Sequence, residues 1–446
     1  MNSVFDASFA DTMKRKLDTA IRDAVSAYKE DNEGNPCFSR NRVLTMEQMI
    51  RLLLSMHGGS LNKELYTAGI KASPSAFCQQ RDKIPLSVFE DVLEYFNLQC
   101  NDKQTFKGYR VFAVDGTTVN MYRDESAESY MKPTKASPRG YNQLHATPLL
   151  DVMAKTYKCC VLQPQPKQDE QGALTLLLTM CGDCFEEKTL IVADRGFESY
   201  NTFAYFQEEE HGNIDFLIRV KQNSVNAMKA IAKLPMKELD VDVDFILSTT
   251  QTREDKANGY IYINTHKNSN KTYKSRAQRW LYGPDPYHMH FRVVRILLDT
   301  GEYETLATSL PRSITAEEIK ELYHARWGIE TAFRELKYSL GLVNTHGKKE
   351  KYVMQEILCS LVMSNFANCI TKEVVIRQNN QNTLMYKVNQ KMAFYLCREF
   401  FRTDHADGEE LMRNIARYTE AVRPGRSDER NIKAQSFKGF VYRVSA

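Results

Sequence analysis

The stretch VFAVDG at residues 111–116 decides the fold, and a second stretch of similar form, LIVADRG, occupies residues 190–196. Each reads as a short buried strand that ends in an aspartate, Asp115 in the first and Asp194 in the second. A carboxylate at the end of a buried strand is poorly solvated and costs free energy unless a partner compensates its charge. One such strand end is common, because aspartates often cap helices and turns. Two of the same form indicate a shared site, and a metal ion is a suitable partner.

Strands and helices alternate around these two stretches, which predicts an α/β fold. The pattern predicts strands at residues 111–115, 149–154, 158–163, 190–194 and 215–220, with helices at 174–181 and 200–210. From about residue 237 to residue 306 the alternation stops and β-type patterns predominate, which predicts an all-β insertion. Helical periodicity resumes at Thr315, whose capping partner is Glu318, and continues to about Leu340.

The first 100 residues read as a series of helices. These are predicted at residues 7–29, from Thr45 with its capping-box partner Gln48, at residues 61–68, and from Ser73 with Pro74 at the first helical position; residues 29–42 read as a linker. The last of these helices is expected to expose Gln79, Gln80, Arg81 and Lys83. Two helices, a turn and a polar helix resemble a helix-turn-helix DNA reader, but a plain helical bundle fits the pattern equally well.

The amino-acid composition limits the classes of protein to which the chain can belong. The chain has 446 residues, 42% hydrophobic and 26% charged, which fits a globular protein of two or three domains. A formal net charge of +4 does not by itself indicate a nucleic-acid partner. The most apolar stretch, residues 357–370, includes several polar side chains and is shorter than the roughly 20 residues of a spanning helix. We therefore expect a buried core helix there and no membrane role.

Ten cysteines, together with an N-terminus that lacks the pattern of a secretory leader, predict a reducing compartment. Cys181 and Cys184 form a CxxC, with Cys159 and Cys160 upstream, so a zinc site is an alternative to consider. Adjacent cysteines in a strand point to opposite faces, which makes Cys159 and Cys160 poor joint ligands. Buried, reduced thiols are the favoured interpretation.

A third motif lies in residues 323–337, which read YHARWGIETAFRELK. Tyr323, Arg326, Glu330 and Lys337 occupy positions i, i+3, i+7 and i+14, and a helix of 3.6 residues per turn places such positions on one stripe. A face turned to the core would be apolar, and a solvated face would be more randomly charged. A stripe with one acid and two cations therefore indicates a functional surface.

The spacing Tyr-x2-Arg-x3-Glu-x6-Lys resembles the signature of the DDE transposases of the insertion-sequence-four group, and all four positions match. The segments VDGTT at residues 114–118 and ADRGF at residues 193–197 are similar to that group's first and second aspartate motifs, in the same order. A long β insertion between the second aspartate and the glutamate is also typical of the group. The resemblance covers residues 109–341 well and the flanks only in general character.

This resemblance implies a ribonuclease-H-like core in which Asp115, Asp194 and Glu330 are the catalytic metal ligands. It also implies that Tyr323, Arg326 and Lys337 contact DNA phosphates beside the cut. Carboxylate oxygens suit Mg²⁺ or Mn²⁺, and the absence of His and Cys from the triad argues against zinc. Two ions roughly 4 Å apart assist an in-line displacement, first by water and then by a DNA 3′-hydroxyl.

A DNA transposase binds double-stranded DNA, namely the terminal inverted repeats of its element and a target. Joining two ends calls for at least a dimer in the synaptic complex, and we expect the protein in the cytoplasm, at the nucleoid of a bacterial or archaeal cell. Arg81 and Lys83 are the expected contacts of the N-terminal reader. Trp280, which follows a basic segment at residues 266–279, is a candidate for stacking on a flipped base, with core packing as its alternative.

Basic residues also occur in the loop at residues 132–139 and in the tail from Arg423, where they are expected to grip DNA. The predicted domains are residues 1–100, helical and a possible helix-turn-helix unit; residues 105–345, catalytic with the β-rich insertion at about 225–305; and residues 346–446, helical with a basic tail.

Competing interpretations differ in how well the motifs support them. A phosphatase of the haloacid-dehalogenase type requires an aspartate where Ala113 stands, and nucleotide binding through a phosphate loop requires a Gly-Lys-Ser/Thr signature that is missing. Two alternatives remain open: a transposase-derived DNA-binding protein that no longer transposes, and a nuclease of the same fold that cuts without joining. The stripe of Tyr323, Arg326, Glu330 and Lys337 disfavours the nuclease.

Overall fold

The computed structural model describes residues 5–32, 38, 44–100, 103–135, 137–185, 188–208, 212–222, 228–263, 285–298, 301–342, 345–378 and 384–422. Within these residues the chain is a mixed α/β protein in which helices pack against one large sheet. The N-terminal helices are α1 (Phe9–Asp31), α2 (Met46–Ser55), α3 (Leu61–Thr67), α4 (Pro74–Arg81) and α5 (Leu86–Gln99).

Local capping chemistry defines where several helices begin. Thr45 and Gln48 form the predicted capping box at the start of α2. The hydroxyl of Ser73 accepts a hydrogen bond from the backbone N–H of Ala76, with Pro74 at the first position of α4. These predicted starts are confirmed, because each cap satisfies a backbone donor that the helix itself leaves unpaired.

The sheet is built from strands of the whole middle of the chain. Its strands are β1 (Arg110–Val114), β2 (Thr117–Met121), β3 (Tyr130–Met131), β4 (Tyr141–Asp151), β5 (Thr156–Pro164), β6 (Thr189–Ala193), β7 (Ile214–Arg219), β8 (Leu239–Ser248), β9 (Ile261–Tyr262), β10 (Tyr287–Leu297) and β11 (Tyr303–Thr308). Their order is β2-β4-β1-β6-β7-β11-β10-β8-β9, and both β3 and β5 also pair with β4. β1, β6 and β7 are mutually parallel, whereas β4 runs antiparallel to β1 and to β5.

The β-rich segment between the two halves of the site extends this same sheet. β11 pairs antiparallel with β7, β10 with β11, and β8 with β10. The short helix α8 (Lys229–Ala232) precedes the segment predicted to be all-β, and that expectation is wrong in one place, because the segment contains the short helix α9 (Arg253–Ala257). A capping box between Thr252 and Asp255 starts α9, a local signal that outweighs the surrounding β pattern.

Helices cover both faces of the sheet. The remaining elements are α6 (Glu170–Met180), α7 (Tyr200–Gln207), α10 (Ala316–Ala325), α11 (Trp327–Arg334), α12 (Glu350–Lys372), β12 (Tyr386–Val388), α13 (Gln390–Arg402), α14 (Gly408–Arg417) and β13 (Thr419–Ala421). Cys159 packs in the core beneath α6 and α7, whereas Cys160 packs in the core that α12 shares with the N-terminal helices. The two adjacent cysteines of β5 thus face opposite sides, as predicted.

α12 is the central helix of the apolar core that includes the N-terminal helices. Within the described residues it alone is long and apolar enough to cross a membrane by length and composition, and 89% of its apolar window is buried inside the protein. It packs against α2, α5 and α13, so helices from both ends of the chain share one apolar core. The prediction of a buried core helix at residues 357–370 is confirmed.

Arg81 does not lie on an exposed face. Its side chain is 3% exposed, and its guanidinium donates hydrogen bonds to Gln355 Oε1 (2.8 Å), Glu356 Oε1 (3.1 Å) and the backbone carbonyl of Tyr352 (2.6 Å) on α12. Phe77, one helical turn earlier, is also buried, so this face of α4 points into the protein. The expectation of an exposed, DNA-reading Arg81 is wrong, whereas Lys83 is exposed and remains a prediction.

Replacing Arg81 by Met should lower the free energy of unfolding by about 3–5 kcal/mol, because the carboxylate of Glu356 would lose its buried guanidinium partner. Urea unfolding followed by circular dichroism measures this loss. Lys83→Met, two residues away and exposed, is the matched control and should leave stability within about 0.5 kcal/mol. A normal stability for Arg81→Met combined with weakened DNA binding would restore the reading role.

Candidate active site

Two parallel strands bring Asp115 and Asp194 to one edge of the sheet. Val114, the last residue of β1, lies opposite Ala193, the last residue of β6, so the next residue of each chain segment leaves the sheet at the same level. The side chains of Asp115 and Asp194 are 26% and 32% exposed, which leaves both carboxylates reachable from solvent. The predicted pair of strand-end aspartates is therefore brought together.

Glu330 reaches the same place from α11, and one guanidinium lies among the acids. Arg326 approaches Asp115 (Nη1 to Oδ2, 3.7 Å) and Glu330 (Nη2 to Oε1, 3.1 Å) while being only 4% exposed. The hydroxyl of Tyr323, at the end of α10, donates a hydrogen bond to Asp194 Oδ1 at 3.2 Å. Three residues of the predicted stripe, Tyr323, Arg326 and Glu330, thus face the two aspartates.

Negative charge is in excess at this edge. The pKa of Asp115 is raised to about 6, mainly by burial and also by the charges of Asp194 and Glu330, against the lowering effects of the Gly116 backbone N–H and of Arg326. Although burial lowers the pKa of Arg326, the neighbouring acidic groups raise it overall, so its positive charge is retained. One buried guanidinium between several carboxylates leaves the site electrostatically suited to further cations.

The chemistry of the three acids suits a hard divalent cation. Asp115, Asp194 and Glu330 offer carboxylate oxygens only, which are the ligands that Mg²⁺ and Mn²⁺ prefer. Among the residues that the structure describes, no three His, Cys, Asp or Glu side chains are close enough to form a ready-made metal site. The guanidinium of Arg326 lies between Asp115 and Glu330, where it compensates their charge.

Lys337 does not join the stripe. Residues Glu335–Ser339 form a π-helical turn, in which the backbone N–H of Leu340 donates to the carbonyl of Glu335 at 3.0 Å. The wider turn changes the angular spacing of 3.6 residues per turn on which the predicted stripe depended. Lys337 instead lines a small apolar cavity with Phe333 and Ile357, and burial lowers the pKa of its ammonium.

Other predicted contacts lie away from this edge or outside the described residues. Lys83 is exposed beyond the end of α4. Trp280, the basic segment at residues 266–279 and the tail from Arg423 lie outside the described residues, as does the side chain of Cys184. The thiol of Cys159 donates a hydrogen bond to the carbonyl of Leu177 at 3.8 Å in a buried environment.

Sequence reasoning missed the side chains that pack behind the aspartates. A Cβ atom added to Gly116 would lie 2.5 Å from both Cε1 and Nε2 of His145 and 2.9 Å from Oε1 of Glu170. Glu170 begins α6, four residues before the predicted start of that helix. The sequence signal for these side chains was the glycine after each aspartate, Gly116 and Gly196. Such a glycine permits another group to approach the backbone closely.

The chain is similar to known proteins of one kind. Residues 106–366 match the family described as the transposase DDE domain. Over 148 residues the chain is 28% identical to a putative transposase for insertion sequence element IS4SA from Synechocystis sp., a match that covers 32% of this chain and 42% of that protein. The chain thus matches less than half of this curated relative's length. It is also similar to the cryo-EM structure of the piggyBac transposase synaptic complex with hairpin DNA, with a TM-score of 0.45, 11% identity, and coverage of 95% of this chain and 87% of that chain.

Gly116→Ala should lower the free energy of unfolding by about 1–3 kcal/mol, because the added methyl would overlap the buried ring of His145. Gly58→Ala is the matched control, since nothing lies within 4 Å of its Cβ position, and its stability should not fall. Removing the ring in the double variant Gly116→Ala/His145→Ala should cost less than the sum of the two single changes. Strict additivity in urea unfolding would show that the methyl and the ring do not meet.

Proposed function

The chain belongs to the transposase DDE domain family, and from this membership we propose that it is a DNA transposase that binds the ends of its element, cleaves them and joins the 3′-hydroxyl ends to target DNA. The observation that carries the proposal is the meeting of Asp115 and Asp194 with Glu330 beside the buried guanidinium of Arg326. These acids come from three separate parts of the chain, so the fold has assembled them. Acids that only capped helices or turns would not need to meet at one place.

The order of five strands supports a ribonuclease-H-like catalytic core. In the order β5-β4-β1-β6-β7, the first three strands are antiparallel neighbours and the last three are parallel. We place this core in a catalytic domain at residues 105–345, with the β-rich insertion at about 225–305. Helical regions at residues 1–100 and 346–446 flank it, the first as the candidate reader of DNA.

Asp115, Asp194 and Glu330 would hold the divalent cations, Mg²⁺ or Mn²⁺ and two in number. A bound pair of such ions stabilises the attacking and leaving oxygens of an in-line phosphoryl displacement. Burial, and to a smaller extent the charges of Asp194 and Glu330, raise the pKa of Asp115 to about 6, which supports this assignment, because a bound cation would stabilise the charged carboxylate. The chain's own residues fix the acids beforehand on buried strands and on a packed helix.

Arg326 is the residue best suited to the phosphate beside the cut. Among the described residues its Nε has no hydrogen-bond partner, although the atom is buried. An arginine fork can donate two parallel hydrogen bonds to one phosphate group, which suits an unpaired Nε next to an occupied Nη. Tyr323 lies beside it and would orient Asp194 through its hydroxyl.

Double-stranded DNA is the proposed partner, both as terminal inverted repeats and as target. Two ends must be held together for joining, so we propose at least a dimer in the synaptic complex. Lys83, which is exposed, and Lys337, which lies off the stripe, are the proposed further DNA contacts, with Trp280 as the candidate for base stacking. The proposed location is the cytoplasm of a bacterial or archaeal cell, at the nucleoid.

Asp115→Ala, Asp194→Ala and Glu330→Ala should each reduce cleavage of a labelled duplex bearing the element's ends to background, while DNA binding persists. Each change removes a carboxylate from the proposed cation site without removing a cationic DNA contact. In-gel cleavage with Mg²⁺, compared with EDTA, measures the loss, and an electrophoretic shift measures binding. Asp404→Ala is the control, an acid 82% exposed in the C-terminal helical part.

The same assay separates the alternatives. Near-normal cleavage by any triad variant contradicts the assignment of that residue. A shifted but uncut duplex with the unaltered protein favours a DNA-binding protein that has lost transposition. Cutting without joining of pre-cut ends favours a nuclease of the same fold.

A further inference from the structure

The first residue of α6 brings another carboxylate to the loops that follow Asp115 and Asp194. An added Cβ on Gly116 would lie 2.9 Å from Glu170 Oε1, and one on Gly196 would fall against Glu170 Oε2. Gly116 follows Asp115 directly, and Gly196 comes two residues after Asp194. The carboxylate of Glu170 therefore bridges the space between the two loops, and only glycine at both positions leaves room for it.

Neighbouring side chains hold Glu170 in this position. Gln168 Nε2 donates a hydrogen bond to Glu170 Oε1 at 3.1 Å, and His145 Nε2 lies 3.6 Å from the same oxygen. His145 is 3% exposed and projects from β4 toward the Gly116 backbone. Within the described residues its Nδ1 has no hydrogen-bond partner. A buried imidazole with an unpaired nitrogen costs free energy, and the ring atoms that it presents to Gly116 are Cε1 and Nε2.

Helix capping does not account for the orientation of Glu170. Asp169 is the N-cap of α6, and its carboxylate accepts a hydrogen bond from the backbone N–H of Gly172 at 3.2 Å. Glu170 instead directs its carboxylate across to the two glycine loops. The positive end of the helix dipole stabilises an anion at such a position, which helps to maintain a carboxylate close to other acids.

Glu170 and Asp194 share one electrostatic environment. Burial raises the pKa of Glu170, and the nearby charge of Asp194 raises it further, whereas the hydrogen bond from Gln168 lowers it. The side chain of Glu170 is 27% exposed and that of Asp115 is 26% exposed, so solvent reaches both side chains. A carboxylate placed beside like charges is stabilised when it shares a cation with them.

We propose that Glu170 is a fourth carboxylate of the catalytic site, which helps Asp115 and Asp194 to hold a divalent cation and is positioned by His145 and Gln168. This inference rests on the proposed function, because it assumes that Asp115 and Asp194 bind the cation. It adds a residue from α6 to a site otherwise built from β1, β6 and α11. The glycines after both aspartates then have a common purpose, which is to admit the carboxylate of Glu170.

Mn²⁺ titration of the full chain without DNA, followed by the electron paramagnetic resonance signal of free Mn²⁺, tests the proposal independently of catalysis. Glu170→Gln keeps the length of the side chain and an oxygen that can accept from Gln168, so it removes little besides the charge. We expect its Mn²⁺ affinity to fall by about tenfold or more. Glu125→Gln, an acid 63% exposed on a loop, is the matched control and should bind Mn²⁺ as the unaltered protein does.

A second variant separates a charge role from a packing role. Glu170→Asp shortens the side chain but keeps the charge, so cation binding requires it to retain more Mn²⁺ affinity than Glu170→Gln does. Equal affinity of Glu170→Gln and the unaltered protein, with Asp194→Asn weakened, would overturn the role of Glu170 and leave the proposed function intact. Absence of Mn²⁺ binding by the unaltered protein would instead overturn the cation site of the proposed function and this inference with it.

Discussion

β1 and β6 run parallel and in register, from Arg110 opposite Thr189 to Val114 opposite Ala193, and the positions of Asp115 and Asp194 follow from this pairing. All residues of both strands are buried, with cores on both faces of the sheet. A slip of one residue would reverse the faces of a whole strand and would also move one aspartate away from the other. The burial of aliphatic side chains therefore stabilises a juxtaposition of carboxylates that their own repulsion opposes.

The third acid depends on a different kind of packing. Ile329 and Phe333, on one side of α11, belong to the apolar core that α12 shares with α2 and α5, while Glu330 lies on the side that faces the sheet edge. Asn365 on α12 accepts a hydrogen bond from the backbone N–H of Tyr157 on β5 at 2.7 Å, and its amide donates to Asn97 on α5 at 2.9 Å. α12, which forms part of the core against which α11 packs, is thus tied by hydrogen bonds to both β5 and α5.

Local signals made much of this site predictable from sequence. The strand-end aspartates, the capping residue Thr315 and the spacing of Tyr323, Arg326 and Glu330 each involve neighbours along the chain or one helical period. The predictions that were wrong depend on contacts between residues far apart in the sequence. Arg81 is polar and sits on a short helix, and only the buried acceptors of α12, more than 270 residues later, determine that it points inward.

Lys337 and Glu170 illustrate two further limits of sequence reasoning. A π-helical turn after Arg334 adds a residue to one turn, and no residue pattern at 3.6 spacing reveals that change. Glu170 is the first residue of α6, whose N-cap is Asp169. No glutamate or glutamine stands three residues after Asp169, so the sequence lacks a capping-box signal there and predicts a later helix start. The contact of Glu170 with two glycine loops is visible only once the sheet has brought those loops together.

Charge balance connects these separate features. Two like charges about 5 Å apart repel by roughly 3 kcal/mol at an effective dielectric constant near 20. Arg326 among the acids and Arg219, whose Nη1 lies 3.8 Å from Asp194 Oδ1, offset only part of this repulsion. The contacts of Arg326 with Asp115 and Glu330, at 3.7 Å and 3.1 Å, are longer than the roughly 2.8 Å of a strong charged hydrogen bond. Arg326 is therefore held by the sum of several weak attractions and not by one tight pair. Exchanging those attractions for a divalent cation on the acids and a phosphate on the guanidinium would improve both sets of contacts, which supports the proposal that Arg326 binds the phosphate beside the cut.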